Sequence, residues 1–251
     1  MKNRVPHIVF LYWVIKIAAT TLGETGADMF SMTFNLGYGT TIVLFLGAFL
    51  IFLLIKLRLQ GYHPLVYWLT FTATAVAGTA VSDFIDRTCG LGYAAGSAIL
   101  LVLLLMTLAV WHRTERSISV EDITTPRAEI FYWIAFLIAN TLGTAAGDYA
   151  ADDLGLGFAY SALVLSGLLA LIALLHFTTK ISGLLLFWLA FVLTRPFGAT
   201  FGDVLTKPVA KGGLNLGTVG SSLFFCVVLA IAIAQETRVE KRRWLAGSAG
   251  A

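Results

Sequence analysis

Ala18-Ala19-Thr20-Thr21-Leu22-Gly23-Glu24-Thr25-Gly26-Ala27-Asp28 sets two carboxylates among small residues inside an otherwise apolar run. Its skeleton returns three more times. Trp13, Gly23 and Asp28 are matched at identical spacing by Trp68, Gly78 and Asp83, by Trp133, Gly143 and Asp148, and by Trp188, Gly198 and Asp203. In every copy the Gly is ten residues after the Trp and the Asp five after the Gly. A match at fixed offsets marks an internal repeat, and each copy is then one supersecondary unit that buries its apolar face against its neighbours.

The composition says where such units reside. Of 251 residues 58% are hydrophobic and 12% charged, with a mean hydropathy of +0.85, whereas soluble domains carry about 25% charged residues. Eight apolar runs, about 8–30, 37–56, 65–86, 91–111, 129–150, 155–177, 183–205 and 214–235, are each long enough to cross a hydrocarbon core of about 30 Å as a helix. They lack the short-period alternation of a membrane barrel strand. The expectation is an all-α polytopic membrane protein, a single transmembrane domain over 1–251 built from four parallel two-helix repeats, 8–57, 64–112, 128–178 and 183–236. A charged segment, 112–129, links the two halves. Parallel repeats of this kind are related by an axis along the membrane normal, so either a pseudo-fourfold ring or two pseudo-twofold halves follows. The first run carries Lys16 and the first repeat copy, so it reads as a retained span and not a cleaved signal.

Twelve of the 17 Lys and Arg residues fall at the chain ends and in the loops after the second, fourth and sixth spans. The positive-inside rule then places both termini in the cytoplasm. The second helix of each repeat opens alike, at Asn35-Leu36-Gly37, Gly90-Leu91-Gly92, Gly155-Leu156-Gly157 and Asn215-Leu216-Gly217, and the fourth copy inserts five residues before this turn. The aromatic pairs Tyr12-Trp13, Tyr67-Trp68, Tyr132-Trp133 and Phe187-Trp188 read as anchors at the cytoplasmic interface.

Four tandem two-helix repeats, each led by a Trp and carrying Gly-x4-Asp, resemble the bacterial membrane proteins grouped as domain of unknown function 347, a membrane-anchored family. The resemblance covers roughly 8–235 and implies a multi-pass protein of the bacterial inner membrane. It implies no activity, so the chemistry must come from the residues.

At about 1.5 Å rise per residue the Asp lies roughly 22 Å beyond its Trp, which puts Asp28, Asp83, Asp148 and Asp203 in the outer third of the membrane. Carboxylates at that depth face a bundle interior or water; the alternative is that they cap helix ends or pair with neighbours. Glu24 lies deeper and aligns with Thr79, Thr144 and Ala199, so it is the exception to its own repeat. It is a candidate proton or cation ligand, or the partner of Lys16 or Arg195; Lys16 is eight residues earlier, too far along one helix to pair directly, whereas Arg195 is one turn from the Glu24 level. Arg195, followed by Pro196, aligns with Thr20, Ala75 and Asn140 and demands an acidic partner or an anionic ligand. Asp86, Asp152 and Asp153 form either an outer acidic vestibule or, with Arg87 and Lys207, a set of surface pairs. The small residues around each Gly let helices approach closely.

Cys89 and Cys226 form no motif, His7, His63, His112 and His176 all sit at one end of the spans, and no hydrolase, zinc-protease or phosphate-loop sequence is present. The chain therefore reads as no enzyme, with no cofactor and no nucleic-acid partner; its partners are the lipid bilayer and a small cation, and a homo-oligomer stays open. The leading reading is a transporter or channel for a small cation, passive or gradient-coupled. Glu24, Asp28, Asp83, Asp148 and Asp203 are its candidate metal ligands, and hard oxygen donors rank a divalent ion such as Mn²⁺ first. The alternatives are a non-transporting scaffold or sensor and a carrier of a small anion on Arg195.

Overall fold

The chain is all-helical, with eight long helices: α1 Phe10–Asp28, α2 Gly37–Arg58, α3 Pro64–Asp83, α4 Tyr93–Glu115, α5 Pro126–Asp148, α6 Gly157–Thr178, α7 Gly183–Thr206 and α8 Thr218–Ala249. The computed structural model describes residues 3–118 and 123–249, so 119–122 of the charged linker lie outside the described residues. Pro64 and Pro126 open α3 and α5, where a missing N–H costs nothing. Thr125 caps α5 by accepting from the Ala128 amide at 3.1 Å.

Seven of these helices are long and apolar enough to cross a membrane; α1 is not among them. Lys16, Glu24 and Asp28, set among small and hydroxyl residues, lower its hydropathy, and the same residues account for its burial. Every residue from Ala18 to Asp28 is buried. The protein is thus a membrane protein in which the one long helix that does not qualify as a span by length and apolarity is among the most enclosed.

The hairpin turns follow from the repeated Leu-Gly signature. Asn35 and Gly37, Gly90 and Gly92, Gly155 and Gly157, and Asn215 and Gly217 all have φ between 52° and 80°. Such left-handed backbone is available at low cost to Gly and, among other residues, to Asn. In the first three repeats the odd helix widens just after its Asp into one π turn, Met29–Thr33, Phe84–Thr88 and Tyr149–Asp153. In the fourth repeat α7 runs on to Thr206, and the inserted residues form a 3-10 turn at Val209–Lys211.

The packing order is cyclic. Helices α1, α3, α5 and α7 pack in a closed sequence, α1 on α3, α3 on α5, α5 on α7 and α7 back on α1. Each even helix covers the odd helix of the following repeat, α2 on α3, α4 on α5, α6 on α7 and α8 on α1. The glycine column makes the inner ring possible. A Cβ on Gly23 would lie 2.6 Å from that of Ala75, one on Gly78 2.9 Å from that of Asn140, one on Gly143 2.3 Å from Cγ of Arg195, and one on Gly198 2.4 Å from Oγ1 of Thr20. Each glycine therefore receives the equivalent residue of the next repeat, and the fourth receives the first. The even helices face outward, with large exposed apolar side chains such as Val43, Ile51, Leu105 and Leu163.

Candidate functional site

Residues four apart share a helix face, and one such line on each odd helix points into the ring. The line on α1 is Tyr12, Lys16, Thr20, Glu24, Asp28; on α3 it is Tyr67, Phe71, Ala75, Thr79, Asp83; on α5 Tyr132, Phe136, Asn140, Thr144, Asp148; on α7 Phe187, Phe191, Arg195, Ala199, Asp203. All twenty are buried. The ring thus encloses layers of four equivalent residues, apolar and aromatic at one end and acidic at the other.

The first two layers close that end. The Tyr67 and Tyr132 hydroxyls meet at 2.5 Å, and the Phe136 and Phe191 rings lie 4.1 Å apart. Trp68 and Trp133 are fully buried and Trp188 nearly so. Three of the four tryptophans are therefore not the interface anchors that their position suggested; Trp13 alone of the four is only partly buried. The three lie on helices enclosed by the even helices, and so fill the interior at the depth where a lipid-facing Trp would anchor. Lys16 replaces the fourth phenylalanine of its layer. Its ammonium donates to the Phe191 carbonyl at 2.7 Å and to the Thr194 hydroxyl, and sits 3.7 Å from the Phe191 ring centroid. Among the described residues it has no ion-pair partner.

Arg195 spans the axis at the next level. Its Nη1 donates to the Thr20 carbonyl at 3.3 Å, and its Nη2 to the Ala75 carbonyl at 3.3 Å, to Thr144 Oγ1 at 2.8 Å and to Thr79 Oγ1. Glu24 Oε2 lies 3.6 Å from Arg195 Nη1 and accepts from Thr79 at 3.2 Å and Thr144 at 3.4 Å. The two exceptions to the repeat thus answer each other, through two threonines that occupy the Glu24 position in their own copies. With both terminal nitrogens engaged, Arg195 offers an anionic ligand little beyond its unpaired Nε.

The four repeat aspartates form two pairs, each bridged by one cation. Arg87 reaches its own Asp83 at 3.3 Å and Asp148 of the next repeat at 3.0 Å. Lys207 reaches its own Asp203 at 3.1 Å and Asp28 of the first repeat at 2.6 Å. Burial acts to lower the Lys207 pKa, but Asp203 and Asp28 outweigh it and hold the ammonium above the ordinary lysine range. The cations occupy the position four residues after the Asp in repeats two and four, where repeats one and three have Met32 and Asp152. An oxygen each from Glu24, Asp28 and Asp203 lies within 4.8 Å of the other two, a spacing that a metal ion fits. Asp28 Oδ1 and Asp203 Oδ2 are buried and accept no hydrogen bond among the described residues. Along the axis five carboxylates face four basic side chains, Lys16, Arg87, Arg195 and Lys207.

The expected vestibule residues differ in burial. Asp86 is buried, accepts from Ser82 at 3.2 Å and lies against Gly96 of α4, while Asp152 and Asp153 are exposed and make no ion pair among the described residues. The surface pairing of Asp152 with Arg87 and Lys207 does not form either, because both cations turn inward to the aspartates. At the opposite end a buried cluster escaped the sequence reading: Glu129 pairs with Lys56 at 2.9 Å and with Arg4, whose guanidinium also caps the Leu57 carbonyl at 2.9 Å. Arg4 and Lys56 signal only loop charge in the sequence; their pairing depends on which helices adjoin.

The family described as Repeat of Unknown Function (DUF347) matches at residues 11–62, 66–117, 131–182 and 186–242, four tandem copies covering most of the chain. No curated protein and no solved structure matches it.

Proposed function

The chain belongs to the DUF347 repeat family, and we propose that it is a transporter or channel for a small cation, passive or gradient-coupled, with a divalent ion such as Mn²⁺ ranked first. In this reading all eight helices span the bacterial inner membrane around a pseudo-fourfold axis, with both termini cytoplasmic. The observation that carries it is the buried group Glu24, Asp28 and Asp203, with converging oxygens and the Lys207 ammonium held between two of the carboxylates. A tethered ammonium in a carboxylate cluster stands where a mobile cation would bind, so ion entry and Lys207 departure become one exchange. The surplus carboxylate on the axis supports a cation over an anion, because an uncompensated negative charge in an enclosed layer is costly. Hard oxygen donors suit Mg²⁺, Ca²⁺ and Mn²⁺. The aromatic layers are the closed gate of this conformation, and conduction requires them to part.

The test is Mn²⁺ uptake into proteoliposomes, read with an enclosed indicator, for the wild type, Asp203→Asn and Lys207→Met. Asp203→Asn is expected to slow uptake about tenfold or more, the loss of one charged contact, and Lys207→Met to bind Mn²⁺ more tightly at equilibrium. Equal uptake by wild type and Asp203→Asn, or no uptake of Mn²⁺, Mg²⁺, Ca²⁺, K⁺ or protons, overturns the reading.

A further inference from the structure

The ring has four junctions where an even helix reaches across to the odd helix two repeats on, and the residue nineteen after the Leu-Gly glycine makes the reach. Three junctions are closed by the chain itself. Lys56 pairs with Glu129 at 2.9 Å, Trp111 packs at 6.3 Å from the Trp188 ring, and Glu236 accepts from Trp68 Nε1 at 2.6 Å. The fourth residue in the series is His176 on α6, and it is exposed. Val9 stands where Glu129 stands in the third repeat, so His176 meets no carboxylate there. Between α1, α6 and α7 remains a cavity of about 760 Å³, lined by Trp13, Ile17, Ile172, Ala173, Ala190 and Thr194, with His176 also on its wall.

We propose that this cavity is a lipid site that takes one acyl chain of an anionic phospholipid, with the headgroup at His176, His7 and Arg243. The groove faces outward from the ring, where the surroundings of a membrane protein are acyl chains. Along α7 it runs from Gly183 to Thr194, about 16 Å at helix rise, close to one leaflet of a hydrocarbon core of about 30 Å. Its wall is apolar, and Ile8 and Val9 at one end also line a second cavity that contains His7 and Arg243. Arg243 meets Glu240 at 2.8 Å but remains about half exposed, and His7 is exposed. Basic side chains at the end of an apolar slot one leaflet long complement a phosphate joined to a chain. At the other end, Thr194 accepts a hydrogen bond from Lys16, so the acyl tail would lie one side chain from the axis.

The site is independent of ion movement and is tested without it. Purified protein is exchanged into nanodiscs of phosphatidylglycerol and phosphatidylcholine mixtures, released from them, and its retained lipid counted by native mass spectrometry. One retained phosphatidylglycerol per chain is expected for the wild type and several-fold less for Ala173→Phe, which fills the slot. His176→Glu, an exposed substitution that leaves the slot open, is expected to remove the preference for phosphatidylglycerol over phosphatidylcholine. Melting temperatures establish that each variant is folded, and the second variant reports even if the first is not. No retained lipid, equal retention of the two lipids by the wild type, or undiminished retention by folded Ala173→Phe overturns the assignment.

Discussion

Glu24 and Arg195 show what a single side chain costs when it departs from its repeat. Removing one partner of a buried ion pair leaves an uncompensated charge, at about 3–5 kcal/mol. Glu24→Gln or Arg195→Met alone is therefore expected to destabilise the protein by that order, and the double variant by much less, because both charges leave together. Unfolding in mixed micelles across this double-mutant cycle checks it, and additive losses would contradict the pairing. The sequence made Glu24 legible as an exception, and Arg195 as one of its two eligible partners. Helix geometry favours Arg195, because Lys16 is eight residues back on the same helix and out of direct reach, while Arg195 aligns one turn from the Glu24 level, and the structure pairs the two. The Asp column was equally legible, but its division into two bridged pairs was not. Arg87 and Lys207 lie four residues from their own aspartates, which sequence shows, and reach Asp148 and Asp28 in the next repeat, which only the closed ring shows.

Among the elements, two kinds of glycine do different work. Gly37 has φ +73° and nothing within 4 Å of an added Cβ, so Gly37→Ala is expected to cost about 1–2 kcal/mol from backbone strain alone. Gly23 is helical, and its Cβ would meet Ala75 Cβ at 2.6 Å, so Gly23→Ala is expected to cost about 1–3 kcal/mol by overpacking. The pairing Gly23→Ala with Ala75→Gly separates the two cases: it is expected to restore part of the stability lost at Gly23, the Ala75 backbone carbon still lying 3.0 Å away, while the same Ala75→Gly change gives Gly37→Ala no relief. Chemical unfolding of the four variants reads this. Helix existence was legible for all eight elements because the apolar runs are long. Which helices are inner was not, because hydropathy favours the outer ones and leaves α1 out of the candidate spans. Three of the four repeat tryptophans misled for the same reason: depth along a span can be read from sequence, but whether a face meets lipid or another helix is a property of the assembly.

At the scale of the whole molecule, the two halves meet at two equivalent junctions, α3 with α5 and α7 with α1. Arg4 also joins the end of α2 to the start of α5 through Glu129 and the Ile123 carbonyl. Chain continuity between the halves is thus less important than these contacts. Residues 1–120 and 121–251, co-expressed as separate chains with a tag on one, are expected to purify as a complex. Glu129→Gln is expected to weaken that complex, and recovery of the tagged half alone would contradict the ring.

The alternation of the axial cations carries a consequence for ancestry and assembly. Arg87 and Lys207 occur in every second repeat and bridge forward to the next, so the chemical period of the ring is two hairpins although each sequence repeat is one. A chain of only two repeats, with its cation on the second, would hold both surfaces needed to complete the circle. Two such chains, side by side in one membrane in the same orientation, would reproduce by dimerisation what this protein achieves by length.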